Sequence, residues 1–163
     1  SMEEVVRSSA SIIAQRAHEA GIELKFESEA KLPVLRGDAL RIKQVIINLM
    51  TNAIKFSHEG DPVTLSASMG ADNMIEVKVI DTGIGMTEEQ IGIALSPFGQ
   101  VDSGHTREYE GTGLGLPISK AIVELHDGVL DIKSNPGFGT TIIMRLPIDE
   151  EPAGERRPRT AAH

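Results

Sequence analysis

The sequence predicts a single α+β domain with about five strands. The chain has 163 residues, a length at which one hydrophobic core buries roughly 70% of the surface that the unfolded chain exposes. Apolar residues make up 40% of the sequence, which argues against global disorder. Segments with the helical spacing of apolar residues alternate with segments of two-residue period, so helices and strands share this domain.

The first half of the chain predicts a helix, a strand, a long helix and two paired strands. Gly21 ends the first helical pattern, and Asp38 is a suitable N-cap for the long helix. A turn at Gly60-Asp61-Pro62 precedes two strands that we expect to pair across residues 70–73. The predicted elements are helix 4–20, strand 22–26, helix 38–57, and strands 63–69 and 74–80.

The second half predicts two more helices and a hairpin. Thr87-Glu88-Glu89-Gln90 is a capping-box pattern, which begins a short helix. Residues 95–112 lack periodicity, and a loop of this length inside a domain is usually a functional loop or lid. The predicted elements are a helix to about 94, a helix over 114–126, and strands 129–134 and 140–146 around the turn Asn135-Pro136-Gly137.

Charge and composition exclude several classes of function. The 16 basic and 24 acidic residues give a net charge of -8, which repels a phosphate backbone, and five aromatic residues are too few for a base-stacking platform. The chain has no cysteine, which excludes disulfides and thiolate chemistry. No apolar run of about 18 residues is present. We therefore expect no nucleic-acid binding and a cytoplasmic location, with any membrane anchor of the parent protein outside this chain.

A stripe of polar side chains follows the long helix. At 100° per residue its members are Arg41, Gln44, Asn48, Asn52 and Lys55. A solvated face is the alternative interpretation, but asparagine in mid-helix is unfavourable by about half a kcal/mol. Amide oxygens are ligands that Mg²⁺ accepts beside phosphates and water, and Lys55 supplies a positive charge. The stripe therefore predicts a magnesium-phosphate site.

A second candidate is Asp81, at the end of the strand 74–81. The two-residue period places Asp81 on the apolar face with Val77 and Val79, where a carboxylate needs a hydrogen-bond donor. One interpretation is that Asp81 caps the following turn. The other is that it accepts from an amine such as the exocyclic amino group of adenine, with Gly83 and Gly85 letting a flat ring approach the backbone.

A third candidate is the run Gly111-Thr112-Gly113-Leu114-Gly115-Leu116 before the last helix. Backbone N–H groups at a helix N-terminus favour anions, so the run predicts a phosphate site, while a hinge for the preceding loop is the alternative interpretation. It is not a Walker A loop, because no Gly-Lys-Ser/Thr follows. In the loop itself, His105 and Arg107 are candidates for a phosphate contact.

Taken in order, these segments resemble the catalytic ATP-binding domain of sensor histidine kinases over about residues 20–147. The matching motifs are Asn48-x-x-x-Asn52-Ala53-Ile54-Lys55-Phe56, Asp81-Thr82-Gly83-Ile84-Gly85, Pro97-Phe98-Gly99-Gln100, residues 111–116, and Gly137-Phe138-Gly139-Thr140. The resemblance implies the Bergerat fold of the GHKL superfamily. In this two-layer α/β sandwich, about three helices cover one face of a mixed sheet of about five strands, and ATP lies beneath a flexible lid.

The resemblance also implies roles for individual residues. Asn52 would coordinate Mg²⁺ with Asn48 beside it, and Lys55 would contact phosphate. Asp81 would bind adenine, helped by Thr140 through water. The predicted catalytic residues are Asn48 and Lys55, and the full predicted site is Asn48, Asn52, Lys55, Phe56, Asp81, Gly83, Gly85, His105, Arg107, Gly111, Thr112, Gly113, Leu114, Gly115, Leu116 and Thr140.

The asparagine at position 48 bears on the reaction. Gyrase-type and heat-shock ATPases of the same fold place a glutamate there to activate water, and asparagine cannot take a proton. The resemblance therefore implies transfer of the γ-phosphate to a histidine. That histidine is expected on a separate dimerisation domain, because His18 lacks the proline of the His-Glu/Asp-x-x-x-Pro setting. A response regulator is the implied downstream partner, and an inert or nucleotide-sensing kinase-like module is the alternative function.

We expect three regions in the chain. Ser1-Met2 has the character of a cleavage scar, and residues 1–20 are predicted to contain a linker helix from the upstream dimerisation domain. Residues 21–148 form the predicted catalytic domain, and residues 149–163 a disordered tail. The chain alone is expected to be monomeric, and its parent protein homodimeric.

Overall fold

The computed structural model describes residues 1–29, 31–35, 37–96 and 115–148. In these ranges the helices are α1 (Met2–Glu19), α2 (Ala39–Phe56), α3 (Glu88–Ala94) and α4 (Gly115–Leu125). The strands are β1 (Glu23–Ser28), β2 (Pro62–Met69), β3 (Met74–Asp81), β4 (Val129–Asn135) and β5 (Gly139–Pro147). The predicted lid from residue 97 onward and the predicted tail lie outside the described residues.

The strands form one mixed sheet in the order β1-β2-β3-β5-β4. β1 runs parallel to β2, with α2 in the connection between them, and all other neighbours pair antiparallel. The turn between β4 and β5 contains Gly137 at a φ of 80°, a left-handed conformation that glycine adopts without steric cost. The predicted α+β class and the mixed sheet are confirmed.

The two faces of the sheet differ in chemistry. On one face Ile75 and Val77 of β3 are buried in a core shared with α1, α2 and α4. On the open face Glu76 pairs with Lys78 at 2.9 Å and with Arg145 of β5 at 3.2 Å. The bond from Lys78 holds the pKa of the Glu76 carboxyl below its usual range. Helices therefore cover one face of the sheet, as the resemblance implies.

Local capping chemistry sets where two helices begin. The side chain of Asp38 accepts from the N–H groups of Leu40 at 3.0 Å and Arg41 at 3.2 Å, which begins α2. Thr87 and Gln90 exchange side-chain and backbone hydrogen bonds at the start of α3. Both caps were predicted from the sequence, and both are present.

The first helix packs onto the second and onto β1. Its buried side chains are Met2, Val6, Ser9, Ile13 and Ala17, and the apolar ones belong to the same core as the sheet. The apolar side chains of α1 are therefore part of the core. The origin of α1 as a linker from an upstream domain stays a prediction.

The imidazole of His126 joins the end of α4 to the start of α2. Its Nε2 accepts from the backbone N–H of Asp38 at 3.0 Å, and its Nδ1 lies 2.8 Å from the carbonyl oxygen of Ile122. A Cβ on Gly37 would collide with this ring. The ring therefore fills the space between the two helix ends.

Ser119 on α4 provides a test of the core. It is fully buried, and in the described part of the chain its hydroxyl has no hydrogen-bond partner. We expect Ser119→Ala to raise the free energy of unfolding by about 1 kcal/mol, because the change removes an unsatisfied hydroxyl and improves helix propensity. Urea unfolding measures this free energy.

Ser9 on α1 is the matched control for that experiment. It is equally buried, but its hydroxyl donates to the carbonyl oxygen of Val5 at 2.7 Å. Ser9→Ala gains the same helix propensity but loses a hydrogen bond, so it should stabilise the fold less. A gain from Ser119→Ala no larger than that from Ser9→Ala would contradict this account of the buried hydroxyl.

Candidate functional site

Asp81 ends β3 on the helix-covered face, where it is 7% exposed. Its Oδ1 accepts from the backbone N–H of Gly83 at 2.9 Å, and the backbone N–H of Thr140 also donates to the carboxylate. Burial raises the pKa of the Asp81 carboxyl above its ordinary value of 3.8, the two N–H groups oppose this rise, and the charge of Asp61 adds to it. A carboxylate has about four acceptor positions, so two donors leave capacity for a ligand.

Backbone segments approach one another closely around the end of β3. A Cβ on Gly83 would overlap with the carbonyl oxygen of Phe56 at the end of α2, and a Cβ on Gly139 would overlap with the backbone of β3. A Cβ on Gly85, which has a φ of 68°, would overlap with the carbonyl oxygen of Asn135. Since these positions have no room for a side chain, the end of α2, the loop after β3 and the β4–β5 hairpin are held together.

The polar stripe of α2 divides into two parts. Arg41 and Gln44, near the start of the helix, are exposed, whereas the residues nearer its end are partly buried, namely Asn48, Asn52, Lys55 and Phe56. A Cβ on Gly115 would lie 3.9 Å from Nδ2 of Asn52, so α4 begins beside Asn52. The first N–H groups of a helix carry partial positive charge. The inner part of the stripe therefore lies next to a helix N-terminus.

The predicted residues that the structure describes fall into two groups joined by the end of α2. Around Asp81 lie Phe56, Gly83, Gly85 and Thr140. Around Asn52 lie Asn48, Lys55, Gly115 and Leu116, the last packed against the core. Six predicted residues lie outside the described ranges: His105, Arg107, Gly111, Thr112, Gly113 and Leu114.

One residue at this site, Ser134 on β4, was not predicted from the sequence. Its Oγ accepts from the backbone N–H of Met86 at 2.8 Å and lies 2.8 Å from both the carbonyl oxygen of Gly139 and Oγ1 of Thr140. Ser134 directly precedes the turn signal Asn135-Pro136-Gly137, and nothing in that local pattern indicates a contact with the site. The register of β4 against β5, which places it opposite Thr140, is the signal that could have found it.

The oxygen donors present define which metal this site could hold. Among the described residues no group of three or more His, Cys, Asp or Glu side chains is placed to hold a metal ion. The amides of Asn48 and Asn52 are the candidate ligands on α2. Two neutral amide oxygens suit Mg²⁺, which commonly completes its coordination with water and substrate phosphates. They are too few to bind a metal ion through protein ligands alone.

A comparison with known protein families finds a match over most of the chain. The sequence profile of the histidine kinase-, DNA gyrase B- and HSP90-like ATPases matches residues 37–150. The chain belongs to this family of ATPases. Membership supports ATP binding by the domain.

Two curated relatives show which branch of the family is similar. The domain is 39% identical over 150 residues to the non-motile and phage-resistance protein of Caulobacter vibrioides, covering 90% of this chain and 18% of the relative. It is 36% identical over 154 residues to an uncharacterized sensor-like histidine kinase of Rhizobium meliloti, covering 94% of this chain and 29% of the relative. The domain thus spans less than a third of the length of either relative.

Two solved structures are similar in fold to this chain. Full-length ShkA in complex with AMPPNP superposes with a TM-score of 0.77 at 29% identity, over 90% of this chain and 30% of that one. The catalytic domain of the histidine kinase ThkA superposes with a TM-score of 0.76 at 26% identity, over 90% of this chain and 93% of that one. The chain is therefore a histidine kinase catalytic domain of the two-component type, as predicted. None of the described helices has the length and hydropathy that a membrane crossing requires.

The pKa of Asp81 gives the stability of the kinase domain a pH dependence of definite sign. Since the folded state holds this proton more tightly than the unfolded chain, the stabilising contribution is complete below pH 3.8 and is lost as pH rises through the raised pKa. We expect the free energy of unfolding of Asp81→Asn, relative to that of the wild type, to increase as the pH rises through this window. Above the window, the difference between the two should stay constant. Urea unfolding from about pH 3.5 to 8 measures the difference, and a difference independent of pH would contradict the buried titration.

Proposed function

We propose that this domain binds Mg-ATP between α2, the end of β3, the β4–β5 hairpin and the start of α4, and transfers the γ-phosphate to a histidine on a separate domain. The observation that carries the proposal is the buried carboxylate of Asp81, which keeps acceptor capacity at the edge of an apolar layer. A group of this kind selects a ligand that donates hydrogen bonds from a largely apolar ring, and adenine has this chemistry.

The base would lie at the Asp81 end of the site. The exocyclic amino group of adenine donates to the carboxylate, which relieves the desolvation of the charged form. Gly83 and Gly85 let the loop after β3 lie against the end of α2 and the β4–β5 hairpin, and Phe56 lines the pocket from the end of α2. Thr140, opposite Asp81 in the neighbouring strand, adds a hydroxyl beside the amino group.

The phosphates would lie at the Asn52 end. Asn52, with Asn48 beside it, would hold Mg²⁺, which supplies charge neutralisation for the phosphate oxygens when it is bound. Lys55 contributes a positive charge, and the start of α4 at Gly115 and Leu116 offers backbone N–H groups to an anion. The run 111–114 with His105 and Arg107 would complete the phosphate end from outside the described residues.

Asparagine at position 48 favours transfer over hydrolysis. An amide cannot accept a proton, so Asn48 positions groups but does not activate water. The transfer breaks the bond between the γ-phosphorus and the oxygen that bridges it to the β-phosphate, forms a bond to a ring nitrogen of the acceptor histidine, and leaves ADP. The catalytic contribution of Asn48 and Lys55 is positioning and charge stabilisation of the phosphoryl group.

The proposed partners follow from this reaction. The acceptor histidine belongs to a dimerisation domain of the parent protein, which would be a homodimer, and a response regulator receives the phosphate downstream. Because the proposed substrate is ATP, we expect the domain to lie in the cytoplasm. This chain alone is expected to be monomeric and to bind no nucleic acid.

ATP affinity with and without Mg²⁺ tests the two ends of the site separately. Asp81→Asn should weaken ATP binding at least about tenfold with or without Mg²⁺, because it removes a charge-assisted hydrogen bond to the base. Asn52→Ala should weaken binding only when Mg²⁺ is present. Isothermal titration calorimetry with ATP, in Mg²⁺ and in EDTA, measures both effects.

Gln44→Ala is the matched control, because Gln44 is an exposed amide on the same stripe two turns before Asn52. It should bind ATP as the wild type does. Unchanged affinity in both site variants would overturn the proposed pocket. A parent protein that binds ATP but places no label from γ-labelled ATP on a histidine would favour the nucleotide-sensing module instead.

A further inference from the structure

Three polar side chains lie in one row across the sheet, on its helix-covered face. Ser134 of β4 pairs with Thr140 of β5, and Thr140 pairs with Asp81 of β3. Directly opposed residues in antiparallel strands place their side chains on the same face, within contact distance. Ser134 is therefore one position removed from Asp81, with Thr140 between them.

The hydrogen bonds of Ser134 fix where its proton lies. A hydroxyl has one proton and two lone pairs. The carbonyl oxygen of Gly139, 2.8 Å away, can only accept, so it takes the Ser134 proton. The backbone N–H of Met86, also at 2.8 Å, can only donate, so it occupies one lone pair. The third contact, to Thr140 Oγ1 at 2.8 Å, is left with a lone pair of Ser134, and Thr140 must be the donor.

This assignment determines the direction in which the Thr140 hydroxyl donates. Its single proton points to Ser134, so toward Asp81 the Thr140 oxygen offers only lone pairs. We propose that Ser134 is a positioning residue for base specificity: it holds the Thr140 hydroxyl as an acceptor beside the Asp81 carboxylate, so that the pocket favours a base with an amino group at position 6 over one with an oxo group. The inference rests on the proposed binding of ATP.

The test compares ATP with inosine triphosphate, whose base carries an oxo group at position 6 and a proton on N1. Ser134→Ala frees the Thr140 proton to point into the pocket, where it can donate to the oxo group. We expect the preference for ATP over inosine triphosphate to fall about fivefold, the value of one net hydrogen bond. Calorimetric affinities for the two nucleotides give this ratio, and circular dichroism confirms that the variant is folded.

Two further variants separate this role from a merely structural one. Ser134→Thr keeps the hydroxyl and should restore the wild-type ratio. In a Thr140→Val background, where the oxygen through which Ser134 acts is gone, Ser134→Ala should leave the ratio unchanged. If Ser134→Ala does not fold, Thr140→Val alone decides the matter: an acceptor at Thr140 predicts a lower preference for ATP, and a donor predicts a higher one.

The outcomes also distinguish this inference from the proposed function. A wild-type domain that does not bind ATP would overturn both. Two results would overturn the role of Ser134 and leave the ATP site intact. One is that Ser134→Ala binds ATP with an unchanged preference over inosine triphosphate. The other is that Ser134→Ala lowers this preference equally in the presence and in the absence of the Thr140 oxygen.

Discussion

The site depends on keeping one carboxylate, that of Asp81, inside a layer of apolar side chains. Desolvation of a charge is unfavourable, so the group is retained only because the backbone N–H groups of Gly83 and Thr140 reach it. Those donors reach it only because the surrounding backbones approach closely, at glycine positions with no room for a side chain. A single buried charge thus requires the loop after β3 and the β4–β5 hairpin to meet at the end of β3.

The two ends of the site use different physical means. At the Asp81 end of the proposed site, the buried carboxylate would select a ligand that donates hydrogen bonds, since an unpaired charge there is strongly unfavourable. At the Asn52 end the described protein groups are neutral amides, one lysine and the start of a helix, which suit phosphates that bring their own charge and a divalent ion. This division is consistent with a domain of net charge -8 that still binds a polyanion, because the attraction is local.

The features that could be predicted from the sequence are local ones. Two-residue alternation placed Asp81 on the covered face, helical spacing gathered Asn48 and Asn52 on one side of α2, and both helix caps follow from side chains within three residues. The role of Ser134 could not be predicted, because it depends on how β4 aligns with β5, and a shift of one residue would turn its side chain to the open face. The charge of Asp61 near Asp81 and the packing of α1 on α2 likewise depend on tertiary contacts.

The bonds of His126 also assign a role to each nitrogen of its ring. A nitrogen that faces a carbonyl oxygen donates to it, and a nitrogen that faces an N–H accepts from it, so the contacts with Ile122 and Asp38 make Nδ1 the donor and Nε2 the acceptor. The helices that carry Asn52 and Gly115 are therefore joined at their opposite ends through the two nitrogens of one side chain. Without this ring, the start of α2 would be attached to α4 by packing alone.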